Sequence, residues 1–103
     1  MMPTAWVYIL TNKNHFVLYT GVTTDLRSRV YEHSTGQSRK SFTFRYSVSK
    51  LVYYEGFETV KEAIRREKYV KGKSRAWKES LINSKNPDWR DLKDDITSLP
   101  IFL

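Results

Sequence analysis

The chain has 103 residues, 40% of them hydrophobic and 28% charged, a balance that supports one domain-sized core and excludes a second domain or a disordered chain. It contains no cysteine, which excludes disulfide frameworks, thiolate metal sites and cysteine nucleophiles. Eighteen Lys+Arg against eleven Asp+Glu leave a net charge of +7, which suits a polyanionic partner such as nucleic acid.

Ala5 to Leu10 (AWVYIL) and Val17 to Gly21 (VLYTG) are short β-branched and aromatic runs separated by the polar stretch Thr11-Asn12-Lys13-Asn14-His15, and they read as a β-hairpin. Thr23 or Thr24 is placed to cap a helix from about Asp25 to Ser34, with Asp25 in its first turn and Gly36 just past its end. Leu26, Val30 and His33 share one face of it with Arg29. Gln37 to Ser47 is basic and aromatic without a period and reads as a loop; Val48 to Glu55 (VSKLVYYE) supplies a third strand closed by Gly56.

Thr59-Val60-Lys61-Glu62 is a capping box, so a second helix begins there and ends near Lys71-Gly72-Lys73. Ala63, Ile64, Glu67 and Val70 fall on one side of it. Ser74 starts a third helix with Trp77, Leu81 and Ile82 as its apolar side, and Asn86-Pro87 stops it. Asp88 to Leu92 suggests a short further turn, with Trp89 and Leu92 tucked onto the body. The order ββαβαα predicts an α+β domain, a three-stranded antiparallel sheet flanked by helices over residues 1–93, followed by a tail at 94–103. No stretch approaches the roughly 18 apolar residues of a membrane span and no basic segment precedes an apolar one at the start, so a soluble cytoplasmic protein without membrane contact is expected.

Five polar residues sit where core packing does not account for them. Glu67 lies on the inward stripe of its helix, where an unpaired carboxylate is costly, so a cation should meet it: a neighbouring arginine or a divalent metal ion. Arg29 and His33, four apart, project side by side and suit a phosphate; the plainer alternatives are a carboxylate partner for Arg29 and a satisfied half-buried His33. Tyr8 and Tyr19 stand on adjacent strands, where a tyrosine pair commonly just packs with its hydroxyls at the rim. Between Lys61 and Lys78, eight basic residues (61, 65, 66, 68, 71, 73, 75, 78) outnumber two acids (62, 67), while the tail gathers aspartates 88, 91, 94 and 95.

Together, Val7-Tyr8-Ile9, Tyr19-Thr20-Gly21, Arg29, His33 and Glu67 resemble the pattern of the GIY-YIG nuclease superfamily. Leu18 to His33 (LYTGVTTDLRSRVYEH) is similar to that family's second strand and first helix. Leu51-Val52-Tyr53-Tyr54-Glu55, Arg66-Glu67-Lys68 and Asn86-Pro87-Asp88-Trp89 are similar to later blocks of its small stand-alone members. The first tripeptide departs from the family pattern at Val7 and the second at Thr20, keeping both tyrosines and Gly21. The resemblance implies a Mg2+-dependent DNA endonuclease of low intrinsic sequence specificity, selective for DNA structure or used in repair or recombination, with Mn2+ substituting for Mg2+ and a protein partner available for targeting. By the same resemblance Glu67 is the metal ligand, Arg29 the phosphate and transition-state clamp, and Tyr8 or Tyr19, with His33, the general base. Arg39, Lys40, Arg45, Lys71, Lys73 and Arg75 are expected along the nucleic-acid backbone; for the helical ones, solubilising a surface is the alternative. A nucleic-acid-binding module with this fold and little or no cleavage is the competing reading, and a structural protein with a fortuitous basic face a third.

Overall fold

The computed structural model describes residues 2–35, 48–97 and Leu99, with the side chains of 33–35 excepted. The expected order is observed. Strands β1 (Ala5–Thr11) and β2 (Leu18–Thr23) form an antiparallel hairpin, followed by helix α1 (Leu26–Thr35), strand β3 (Lys50–Phe57), helices α2 (Val60–Lys71) and α3 (Arg75–Lys85), and a 3-10 turn at Lys93–Ile96. The sheet order is β2-β1-β3, both pairs antiparallel, so β1 is central and β2 is an edge.

β1 is buried along its whole length because each of its faces is covered by helices. Trp6, Tyr8 and Leu10 pack with Leu26 and Val30 of α1 and with Leu92 and Ile96. Ala5 and Val7 meet Ala63 of α2, and Ile9 meets Val70 of α2 and Ile82 of α3. This is why the segment reads as a continuous apolar run rather than an alternating one. Ile96 is buried within the first cluster and Leu99 packs on it, so residues beyond 93 contribute to the core.

Local chemistry sets the boundaries. The cap of α1 is Asp25, not either threonine: its Oδ1 accepts from the Ser28 amide at 3.3 Å, and Thr23 Oγ1 instead accepts from the Asp25 amide at 3.0 Å. Thr59 caps α2 by accepting from the Glu62 amide at 3.2 Å, but the return bond runs from the Thr59 hydroxyl to Glu62 Oε1 at 2.8 Å rather than from the backbone N–H. Gly72 closes α2 in a right-handed conformation, φ −78°, so no left-handed cap is made there. Ser74 and Asn86 bound α3 as expected. β3 is displaced two residues from the expected span and does not stop at Gly56. Gly56 pairs with Trp6 inside the ladder, and a Cβ there would lie 2.7 Å from the Pro3 ring, so this glycine admits a close crossing rather than a turn. Ile64, expected inward, is 40% exposed. A hydrogen-bonded turn lies at 86–89, where the Trp89 amide donates to Asn86 O at 3.0 Å, overlapping the turn expected from Asp88; Leu92 then donates its amide to Leu51 O at 2.8 Å alongside β3, and the 3-10 turn follows at Lys93–Ile96.

Candidate nuclease site at the edge strand

The site is organised by the register of the hairpin. Tyr8 of β1 stands opposite Gly21 of β2, and Leu10 opposite Tyr19, so both tyrosines are on the α1 face of the sheet. The Tyr8 ring extends over Gly21: a Cβ at position 21 would lie 2.5 Å from Tyr8 Cζ and 2.5 Å from its Oη. A side chain there would close the path by which the phenol reaches across the edge strand. The two tyrosine rings are 6.3 Å apart at a 41° tilt, close enough to touch without stacking.

Tyr8 is 1% exposed, and burial drives its hydroxyl well above the ordinary tyrosine pKa; the neighbouring Tyr19 and the Glu32 and Glu67 carboxylates push the same way, while Arg29 opposes them. The direction of the shift has a chemical consequence. Burial favours the neutral phenol of Tyr8 over its phenolate. Arg29 and Glu32 of α1 and Glu67 of α2 all act electrostatically on this hydroxyl, although α1 and α2 cover opposite faces. Glu67 is brought to this side of the domain because α2 packs against β2, the edge strand, as well as β1.

Glu67 does lie inward, its side chain 13% exposed, and the cation that meets it is a lysine: Lys71 Nζ is 2.9 Å from Glu67 Oε2, one turn along α2. The alternative of a core arginine partner is thereby replaced by a solvent-facing lysine, 54% exposed. Arg29 is 48% exposed with Nε 3.8 Å from Glu32 Oε2, a weak pair that leaves most of the guanidinium toward solvent. Glu32 is the member of this group that sequence reasoning missed; its signal was the spacing of three from Arg29 on the same helix. The His33 side chain, and Arg39, Lys40 and Arg45, lie outside the described residues.

The remaining basic residues differ in what they already hold. Arg75 donates from Nε to Glu79 Oε2 at 2.9 Å, from one terminal nitrogen to Phe16 O at 2.6 Å and from the other to His15 O. It ties the start of α3 to the β1–β2 turn, so its guanidinium is largely committed within the fold. Lys73 Nζ lies 4.3 Å from the centroid of the Tyr69 ring. Lys71 is engaged by Glu67.

Among the described residues no group of three or more histidines and carboxylates converges as a metal cage. A single, mostly buried carboxylate at the edge strand suits Mg2+, which keeps much of its water shell and takes further oxygens from a substrate phosphate. Glu67 would hold it.

A tyrosine pair across the central and edge strands, an arginine on the first helix and a carboxylate on the second are the pattern of the class. The chain belongs to the family of GIY-YIG nuclease-type domains: the family model described as the GIY-YIG catalytic domain matches residues 4–80. Its relatives are small proteins of similar length. It is 44% identical over 81 residues to a UPF0213 protein of Clostridium perfringens, covering 79% of this chain and 85% of that one. To a UPF0213 protein of Halobacterium salinarum it is 46% identical over 64 residues, covering 62% and 82%. The solution NMR structure of a UPF0213 protein from Bacillus halodurans matches 93% of this chain and 98% of its own at a TM-score of 0.55 and 32% identity. Among the described residues no helix is long and apolar enough to cross a membrane.

Proposed function

We propose that this protein is a Mg2+-dependent endonuclease that hydrolyses phosphodiester bonds in DNA with low sequence specificity, the kind of cleavage that repair or recombination uses. The observation that carries the reading is the crossing of the Tyr8 phenol over Gly21 beside Tyr19, with Glu67 of α2 held inward and Arg29 of α1 half exposed. Cleavage of a phosphodiester needs a positioned water, a proton acceptor and positive charge where the phosphorane's charge develops. A bound Mg2+, with Mn2+ as a substitute, would polarise the phosphoryl oxygen and lower the pKa of coordinated water.

The chain's own groups supply the rest. Arg29, half exposed and only loosely paired with Glu32, turns toward a non-bridging phosphate oxygen and stabilises its developing charge. Tyr8, kept neutral by burial, donates its proton as a hydrogen bond to orient the reacting oxygen. Tyr19, together with His33, is the proton acceptor in this reading. Lys71 releases Glu67 and moves to the substrate backbone, where its charge is again compensated.

The same ion pair favours a second reading. A carboxylate already neutralised by Lys71 at 2.9 Å is compatible with a nucleic-acid-binding domain that does not cleave. Glu67→Gln separates the two. Under the nuclease reading, Mg2+-dependent nicking of plasmid DNA disappears while DNA binding is kept or strengthened, since a negative charge facing the phosphate is removed. Wild-type protein that binds plasmid yet nicks none across a Mg2+ titration would leave only the binding module.

A further inference from the structure

On the flank of α2 turned away from Glu67, four side chains form a mixed cationic and aromatic surface that the nuclease site does not use. Tyr69 of α2 is 50% exposed and meets Trp77 of α3 edge to face, ring centroids 5.7 Å apart at 77°. Arg66 lies 5.6 Å from the Tyr69 centroid and 5.8 Å from that of Trp77, and is fixed in place by Glu55, whose Oε1 accepts from its Nε at 3.1 Å. Lys73 covers Tyr69 at 4.3 Å. Beside them is an open cleft of about 360 Å³ lined by Phe57, Glu62, Arg65, Arg66 and Tyr69.

Trp77 packs partly on the core and Arg66 ties α2 to β3, but the half-exposed face of Tyr69 serves neither contact. An exposed tyrosine braced by a partly buried tryptophan is a rigid flat surface, and Lys73 over the ring with Arg65 and Arg66 beside it make its surroundings net positive, one carboxylate, Glu62, standing in the adjoining cleft. Aromatic faces within a positive groove are what unpaired nucleotides require, because every base can stack while the phosphates are neutralised alongside. A protein partner of acidic character would satisfy the charge but would leave the ring faces unused.

The geometry points to a stacking platform for single-stranded nucleic acid, built on Tyr69 and Trp77 and separate from the catalytic edge. It rests on the nuclease reading only in making the substrate DNA with an unpaired segment beside the cleaved duplex. An incoming base takes the face of Tyr69 that Lys73 covers, and the displaced ammonium turns to the adjoining phosphate. Arg66, held by Glu55, remains at the edge of both rings and keeps them in position.

The test is fluorescence anisotropy of a labelled oligothymidine and of a labelled hairpin duplex of equal length, in EDTA so that no strand is cut. Tyr69→Ala should weaken oligothymidine binding about 5- to 100-fold and duplex binding by less than about 2-fold. Tyr69→Phe, which keeps the ring, should restore it. Trp77 packs partly into the core, so Trp77→Phe is the companion variant, with thermal melting to verify its fold; it should weaken oligothymidine binding less than Tyr69→Ala does. Equal losses on both ligands would make this face a general DNA contact and no loss on oligothymidine would leave it to a protein partner, and either result would overturn the platform. Wild-type protein that cuts plasmid while Tyr69→Ala binds oligothymidine normally defeats the platform and spares the nuclease. Protein that cuts nothing but loses oligothymidine binding with Tyr69 does the reverse.

Discussion

Tyr8 and Gly21 face each other across the β1–β2 ladder, and the phenol of one occupies the volume a side chain of the other would fill, with both Cζ and Oη 2.5 Å from the ideal Cβ position. The glycine is required by close approach, not by backbone angle. Gly21→Ala must therefore push aside a ring that is 1% exposed and has little room to swing. The expected cost is about 1–3 kcal/mol of stability together with loss of nicking. Tyr8→Phe, which keeps Cζ, should not relieve the alanine, whereas Tyr8→Leu should. Denaturant midpoints of the five single and double variants check this, and additive costs in the Tyr8→Leu pair would refute the contact.

Glu67→Gln removes the carboxylate's charge but leaves no buried cation behind, because Lys71 is mostly in solvent. The stability change should therefore be small, below about 1 kcal/mol, rather than the several kcal/mol of a broken buried pair. Thermal melting of the variant, on the preparation used for nicking, checks it. A large loss of stability with nicking intact would make Glu67 a structural residue.

Arg29→Ala should likewise spare the fold, since its ion pair with Glu32 is 3.8 Å long and half exposed. Its effect belongs to turnover: loss of a clamp on developing charge costs about 10²–10³ in rate. Folded Arg29→Ala protein with unchanged nicking would remove this residue from the site.

The order of elements and the core of β1 were legible because period and capping chemistry are local. Thr59, Ser74 and Asn86-Pro87 mark helix ends through bonds that span only a few residues. Gly56 was misread for the opposite reason. Nothing near it in sequence announces that Pro3, more than fifty residues earlier, crosses over it. The inward position of Glu67 followed from helical spacing, and its partner stood in the same spacing: Lys71 is four residues on along one face, whereas Arg66, next in sequence, projects elsewhere and meets Glu55 on β3. Arg75 looked like a surface cation; its bonds to the carbonyls of His15 and Phe16 are tertiary and invisible to composition.

Alkaline stability follows from two buried phenols. Burial and the adjacent Glu55 push Tyr53 up to about 12, and burial raises Tyr8 further still. The unfolded chain releases these protons near pH 10, so above that value the native state binds more protons than the unfolded one and stability falls with pH. Their contribution is complete below pH 10 and is lost as pH climbs through the folded values. Urea midpoints at pH 8, 10 and 11.5 should decline, and the decline should be shallower in Tyr53→Phe, which no longer has that proton to retain. An unchanged slope in the variant would show that Tyr53 titrates alike in both states.

Arg75 distinguishes a structural cation from a nucleic-acid contact. Its guanidinium spans the start of α3 and the carbonyls of the β1–β2 turn, where His15 holds a positive φ of 61° and its ring lies 4.9 Å from that of Trp89. Arg75→Ala should free this turn and cost about 1–2 kcal/mol, toward the low end because the side chain is partly exposed. Its DNA affinity should hold near the wild-type value with the same salt dependence. Lys73→Gln should do the opposite, leaving the melting temperature in place while lowering the slope of log affinity against log salt by about one unit. Salt titrations of duplex binding for the two variants, set beside their melting curves, decide the assignment: a reduced slope for Arg75→Ala at unchanged stability would return Arg75 to the DNA backbone.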